Sequence, residues 1–301
     1  MIEARALTKR FGEITALDSI TATIRDGEVF GLIGTNGAGK STFLRCAAGI
    51  YLPDEGTVEI DGADVYENVA VKQSFFFISD EQFFIPNAAP AEMGQFYRYY
   101  YDGFDMARFR QLLKEFGLDE NRKISTFSKG MKKQLSVILA LSAGTRYIFC
   151  DETFDGLDPV MRQAVKSLFA EAIEERGMTP VIASHNLREL EDICDHVGLL
   201  HRGGILLSRD IDELKLGVHK IQCVLKEGTE GEAERQLDII QSEQRGRLRL
   251  YIVRGEETEI RNVMNSFKPV FYELIPLSLE EIFITETEVA GYDIKKLILG
   301  E

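Results

Sequence analysis

Gly34-Thr35-Asn36-Gly37-Ala38-Gly39-Lys40-Ser41 meets the spacing G-x-x-x-x-G-K-[ST] at every fixed position. The run Val29-Phe30-Gly31-Leu32-Ile33 before it reads as a short buried strand, and Thr42-Phe43-Leu44-Arg45-Cys46-Ala47-Ala48 after it reads as the opening of a helix. Strand, glycine-rich loop and helix in this order form a phosphate cradle. The glycines let backbone N–H groups turn inward, and the helix N-terminus adds the positive end of its dipole. Lys40 is then expected to reach the β- and γ-phosphates of a nucleotide, and the Ser41 hydroxyl to ligate Mg²⁺.

Outward from this loop the chain falls into recognisable blocks. Residues 2–7, 19–25 and 56–60 read as strands separated by Phe11-Gly12, Asp26-Gly27, Asp54-Glu55-Gly56 and Asp61-Gly62 turns, which predicts an antiparallel sheet beside the nucleotide core. The runs at 75–78, 147–150, 181–183 and 197–200 are short, apolar and barely alternating, as in strands buried on both faces of a mostly parallel sheet. Between the first two runs, about 85–140 is rich in helix formers and aromatics and reads as an inserted helical subdomain entered through Asn87-Ala88-Ala89-Pro90.

After Leu216-Gly217 the pattern changes. Strands are expected at 221–225, 248–253 and 270–274, and helices at 233–240, 257–267 and 279–284. Residues 217–301 are therefore expected to form a small α+β domain following a catalytic domain at 1–216. The stretches Glu227-Gly228-Thr229-Glu230-Gly231-Glu232 and Gln244-Arg245-Gly246 read as exposed loops.

Composition narrows the function classes. With 301 residues, 45% of them hydrophobic, the chain can bury a large core without disulfides. A formal charge of −14 argues against a surface that grips nucleic acid by bulk electrostatics. Cys46, Cys150, Cys194 and Cys223 are scattered, with no C-x-x-C pair, and read as buried thiols in a reducing compartment. No apolar run approaches the roughly 18 residues that span a bilayer, so a cytoplasmic location is expected.

Two further constellations carry chemistry. Arg146-Tyr147-Ile148-Phe149-Cys150-Asp151-Glu152 is an apolar strand ending in two acids, at the strand end where an open α/β sheet holds phosphates. Asp151 suits Mg²⁺ held through its water shell, and Glu152 can orient and deprotonate an attacking water. Phe127-Ser128-Lys129-Gly130-Met131-Lys132-Lys133-Gln134 opens a helical run as a serine-capped start. Phe11, just ahead of Ala16-Leu17-Asp18, is either an ordinary core residue or a face for an adenine ring.

The phosphate loop, Ser128-Lys129-Gly130, Asp151-Glu152, Gly156-Leu157-Asp158 and Ser184-His185-Asn186 stand in the order and approximate spacing of ATP-binding cassette ATPases. The chain most resembles the ATPase subunits of bacterial exporters of drugs, peptide antibiotics or ions. The resemblance covers about residues 1–215, and Leu277-Ser278-Leu279-Glu280-Glu281-Ile282-Phe283 looks like the ending common in that subgroup. It implies a P-loop NTPase core with antiparallel and helical subdomains, ATP and Mg²⁺ as ligands, a second ATPase subunit and separate integral membrane permease subunits. By the same resemblance Phe11 stacks on adenine, and Gly34, Thr35, Asn36, Gly37, Ala38, Gly39, Lys40, Ser41 and Thr42 hold the phosphates. Ser128 and Gly130 serve ATP on the opposite subunit, His185 contacts the γ-phosphate, and Asp158 lies at the dimer seam.

Three departures stand out. Lys129 and Met131 replace a glycine and the glutamine of the Leu-Ser-Gly-Gly-Gln signature, while Ser128 and Gly130 survive. Asp80 occupies the place of a glutamine that touches Mg²⁺ and the attacking water; either Asp80 through a metal-bound water or Gln82 takes that role. Thr153 stands where a proline follows the catalytic glutamate, with Asp155 before Gly156. The aromatic stretch Phe96-Tyr97-Arg98-Tyr99-Tyr100-Tyr101 either packs the helical subdomain or borders a groove for a helix of the membrane partner. Two competing functions are a soluble cassette protein acting on ribosomes or DNA, which usually needs two cassettes or a long coiled coil, and a non-hydrolysing partner in a heterodimer. Lys40, Asp151, Glu152 and His185 together argue against the second.

Overall fold

The computed structural model describes residues 1–154, 157–226 and 230–289, which divide into two units between Ser208 and Arg209. The expected seam residues Asp155 and Gly156, and Glu227, Gly228 and Thr229 of the expected 227–232 loop, lie outside the described residues. In chain order the first unit carries β1 (Ile2–Phe11), β2 (Ile14–Ile24), β3 (Phe30–Ile33), α1 (Lys40–Ala47), β4 (Glu55–Ile60), β5 (Ala63–Asp64), α2 (Val69–Lys72) and β6 (Phe75–Ile78). It continues with α3 (Pro90–Tyr100), α4 (Met106–Glu115), α5 (Lys129–Ser142), β7 (Tyr147–Asp151), α6 (Pro159–Arg176), β8 (Thr179–Ser184), α7 (Leu187–Glu191), β9 (His196–His201) and β10 (Gly204–Asp210).

The expected antiparallel sheet has the order β2-β1-β4-β5, and the central sheet the order β10-β9-β3-β8-β7-β6. Pairing is parallel from β9 through β3, β8 and β7 to β6. All residues of β3, β7 and β8 are buried, which is why their sequences lack alternation. The core lies between the two sheets. Leu7, Leu17 and Ile20 from the antiparallel sheet and Phe30, Leu32 and Phe149 from the central one enclose Phe43, Leu44 and Ala47 of α1. The helix behind the phosphate loop is thus held on two sides by apolar packing, and its first turn cannot drift.

α3, α4 and α5 form the expected helical subdomain. Pro at the first turn and a Glu92 carboxylate accepting from Ala89 N–H start α3, while Asp105 caps α4 through Ala107 and Arg108 N–H. Ser128 caps α5, its hydroxyl accepting from Met131 N–H at 3.2 Å. From Lys133 to Ser142 every residue of α5 is buried.

The second unit carries α8 (Ile211–Gly217), β11 (Val218–Val224), α9 (Glu230–Gln236), β12 (Asp238–Arg245), β13 (Leu248–Arg254), α10 (Glu257–Ser266), β14 (Phe271–Ile275) and α11 (Leu279–Val289). Its antiparallel sheet has the order β12-β13-β11-β14, packed on a core that includes Ile221, Tyr251, Val253, Ile260 and Met264. One expectation here is corrected. The helix anticipated over 233–240 stops at Gln236, and Ile239 and Ile240 belong to β12, where Ile239 pairs with Val253. Ladder pairing with β13 outweighs the helix-like apolar spacing of this segment. The 244–246 stretch is correspondingly the end of a hairpin, with Arg245 opposite Leu248 and Gly246 at φ +64° in the turn.

Candidate nucleotide site

The site is assembled at the carboxyl ends of β3, β7 and β8, where side chains from three crossovers converge. β3 delivers the chain into the glycine-rich loop, which closes through Ala38 N–H donating to Thr35 carbonyl at 3.1 Å. Asn36 and Gly37 are exposed, Thr35, Gly39 and Thr42 half-buried, and Gly34 and Ala38 buried. Lys40 is 5% exposed. Its ammonium donates to the carbonyls of Gly34 at 2.7 Å and Thr35 at 3.3 Å, and lies 3.6 Å from Glu152 Oε1. Burial lowers the Lys40 pKa, and the Glu152 carboxylate opposes that shift.

Asp151, ending β7, is 1% exposed and its Oδ1 accepts from the Ser41 hydroxyl at 2.8 Å. Its Oδ2 is buried without a hydrogen-bond partner among the described residues, with Arg45 Nη2 at 3.8 Å. Burial pushes the Asp151 carboxyl above the usual carboxylate range, with the Ser41 hydrogen bond and Arg45 pulling the other way. An orphaned carboxylate oxygen next to a hydroxyl is a hard-oxygen donor set, so Ser41 and Asp151 fit Mg²⁺.

Glu152 follows in a left-handed backbone conformation, φ +50°. Its N–H donates to Ala183 carbonyl at 3.0 Å, and its own carbonyl accepts from Lys133 Nζ at 2.6 Å. The carboxylate points back to Lys40 and, through Oε2, to His185 Nδ1 at 2.8 Å. His185 follows β8 directly, and its side chain is 48% exposed. Lys40, Ser41, Asp151, Glu152 and His185 are therefore gathered into one cluster. Asp80 is more exposed, with its Oδ1 3.7 Å from Lys133 Nζ. The Gln82 amide turns back on its own loop, donating to the carbonyls of Asp80 and Ser79.

Phe11 is 44% exposed at the end of β1 and meets Tyr51 edge-on at 5.4 Å, with Lys9 Nζ 5.5 Å from its ring. Ser128 is exposed and Gly130 half-buried at the start of α5. Asp158 caps α6, accepting from Met161 N–H at 2.9 Å, and the Thr153 side chain is buried. Part of the aromatic stretch packs the subdomain and part is exposed. Tyr97 and Tyr101 pack on Phe76, and the Tyr101 hydroxyl donates to Phe75 carbonyl, whereas Tyr99 and Tyr100 face solvent. Sequence reasoning missed Lys133, Arg45 and Tyr51. Arg45 was accessible in principle, since it lies one helical turn beyond Ser41 and so on the same face.

Known proteins resemble this chain in sequence and in fold. The ABC transporter family profile matches residues 17–155. The ABC transporter ATP-binding protein YtrB of Bacillus subtilis (strain 168) is 32% identical over 95% of this chain and 98% of its own length. The bacitracin transport ATP-binding protein BcrA of Enterococcus faecalis is 32% identical over 71% of this chain and 70% of its own. A solved ATP-binding subunit of an ABC transporter superposes with a TM-score of 0.66 at 26% identity, covering 71% of this chain and 92% of that one. With a relative matched from end to end and a phosphate loop facing its acidic pair, the chain belongs to the ATP-hydrolysing, ATP-binding subunits of ABC transporters.

Proposed function

We propose that the chain powers an exporter from the cytoplasmic face of the membrane. Two copies, or this chain and a related one, close on two ATP molecules, and hydrolysis reopens them. The observation that carries this reading is the Lys40–Glu152–His185 cluster beside Ser41 and Asp151, which supports a base, a cation and a metal-binding pair acting at one point. Among the described residues no helix is long and apolar enough to cross a membrane, and in this reading separate membrane subunits carry the transport path. The groove lined by Phe76, Gln82, Phe83, Phe84, Tyr97 and Leu139 suits a helix of such a subunit, with exposed Phe83 at its rim.

In this mechanism Phe11 stacks on adenine, and the backbone from Gly34 to Thr42 wraps the phosphates. Mg²⁺, held by Ser41 and Asp151, would neutralise charge on the phosphate oxygens. Lys40 exchanges the loop carbonyls for the β- and γ-phosphates. Glu152 accepts a proton from the attacking water, and His185, already fixed on Glu152, orients toward the γ-phosphate. Asp80 sits at the outer margin of the site, where it can hold a water of the metal's shell. In this reading one side of the γ-phosphate is left to a partner. The exposed Ser128 cap and Gly130 N–H at the start of α5 suit that gap on a partner, in a head-to-tail pair.

The test uses Glu152→Gln, which should cost on the order of 10²-fold or more in turnover while ATP still binds. Sedimentation of this variant should shift from monomer to dimer on adding Mg-ATP, and Ser128→Arg should abolish the shift. Near-normal turnover would refute Glu152 as base. A dimer indifferent to both nucleotide and Ser128→Arg would refute the trans contact.

A further inference from the structure

Lys133 is among the most deeply buried large side chains of the protein, 1% exposed, although it carries an ammonium group. A buried ammonium is retained only where charges and acceptors satisfy it. Here it donates to the Glu152 carbonyl at 2.6 Å and lies 3.7 Å from Asp80 Oδ1. One side chain of α5 thereby joins the end of β7 to the loop after β6.

Its partner explains the arrangement. Glu152 sits at φ +50°, a conformation that a side-chain-bearing residue adopts only when its surroundings hold it there. Two hydrogen bonds do so: the Glu152 N–H is tied to Ala183 on β8, and the carbonyl is tied to Lys133. With both backbone groups held, the Cα–Cβ bond is aimed, and from there the carboxylate reaches Lys40 and His185. We infer that Lys133 is a positioning residue for ATP hydrolysis, which keeps the Glu152 backbone in its left-handed turn so that the carboxylate faces the attacking water. This rests on Glu152 being the water-orienting base.

The same placement links the two ends of the proposed dimer contact. Ser128 caps α5, and Lys133 lies in that helix's second turn. A pull on the Ser128 end by the partner's nucleotide acts on the helix that grips Glu152 of its own site.

Lys133→Met removes the charge and the donor while keeping the length of the side chain, and it replaces a buried ion by an apolar group. Turnover should fall on the order of tenfold, equivalent to about 1.4 kcal/mol of transition-state stabilisation. KM for ATP should stay within about twofold, and the melting temperature should fall only slightly, because the Glu152 carbonyl loses one donor while the cost of a buried charge is removed. A loss of rate far out of proportion to the loss of stability is a combination that a purely structural lysine does not produce. Lys133→Gln, which keeps a shorter donor, should fall between wild type and Lys133→Met. Wild-type turnover in Lys133→Met, alongside an inactive Glu152→Gln, would overturn the positioning role alone. Parallel losses of rate and melting temperature in both Lys133 variants would overturn it as well. An active Glu152→Gln would instead remove the base assignment beneath it.

Discussion

Two glycines of the phosphate loop share a positive φ but differ in what surrounds them, and this separates two contributions to the loop's shape. Gly37 has φ +80° and nothing within 4 Å of where a Cβ would stand. Gly39 has φ +107°, and a Cβ there would lie 2.5 Å from the Ala16 carbonyl oxygen and 2.9 Å from Leu17 Cδ2. Gly37→Ala should therefore cost only the conformational penalty, about 1.5 kcal/mol. Gly39→Ala adds overpacking against the backbone of β2, bringing the loss to about 3.5 kcal/mol. For a unit of this size each kcal/mol is worth about 3 °C, so the variants should melt about 4 °C and about 10 °C below wild type. The assay is thermal denaturation without nucleotide, followed by titration with ATP. Gly39→Ala should also bind ATP more weakly, because the clash moves the residue preceding Lys40. Melting temperatures within about 2 °C of each other would refute the idea that β2 moulds the loop.

Two further outcomes are expected. His185→Ala should slow hydrolysis strongly with an unchanged melting temperature, because the exposed ring contributes little packing while its contact with Glu152 is direct; equal losses of rate and stability would mark it as structural. All four cysteines are buried, and burial raises their thiol pKa values, from 9.0 to about 11 for Cys46 and Cys223 and to about 12 for Cys150. The native protein at pH 8 should resist a thiol reagent and the unfolded chain should react at four sites. Because the fold keeps these protons longer than the unfolded chain does, their contribution is present below about pH 9 and lost as pH rises through the folded values. Rapid native labelling would contradict the burial.

Much of this architecture was legible because its signals are local. The phosphate loop is a contiguous run of residues, and the buried strands of the central sheet announce themselves as unbroken apolar runs. Ser128 could be read as a cap because its partner, Met131 N–H, is three residues away. Lys133 could not be read this way. In Lys132-Lys133 one lysine is half-exposed and the other buried, and only the path of β7 brings Glu152 to the second. The His185–Glu152 contact likewise depends on β8 lying beside β7, and the pairing of Phe11 with Tyr51 on the turn after α1. In the second unit residues 238–240, the start of the edge strand β12, read as the end of a helix because their partner β13 lies beyond a turn that local apolar spacing does not report.

The length of α5 gives this helix leverage. Its 14 residues form a rod of about 21 Å, gripped along its rear ten residues by the subdomain core. A rotation of about 5° about that buried end sweeps Ser128 through about 2 Å, enough to make or break a hydrogen bond. Lys133, about 14 Å from that end, travels about two-thirds as far, so most of a movement at the tip would be felt beside Glu152. Where along one helix a serine and a lysine stand thus sets how much of a displacement at the one would reach the other.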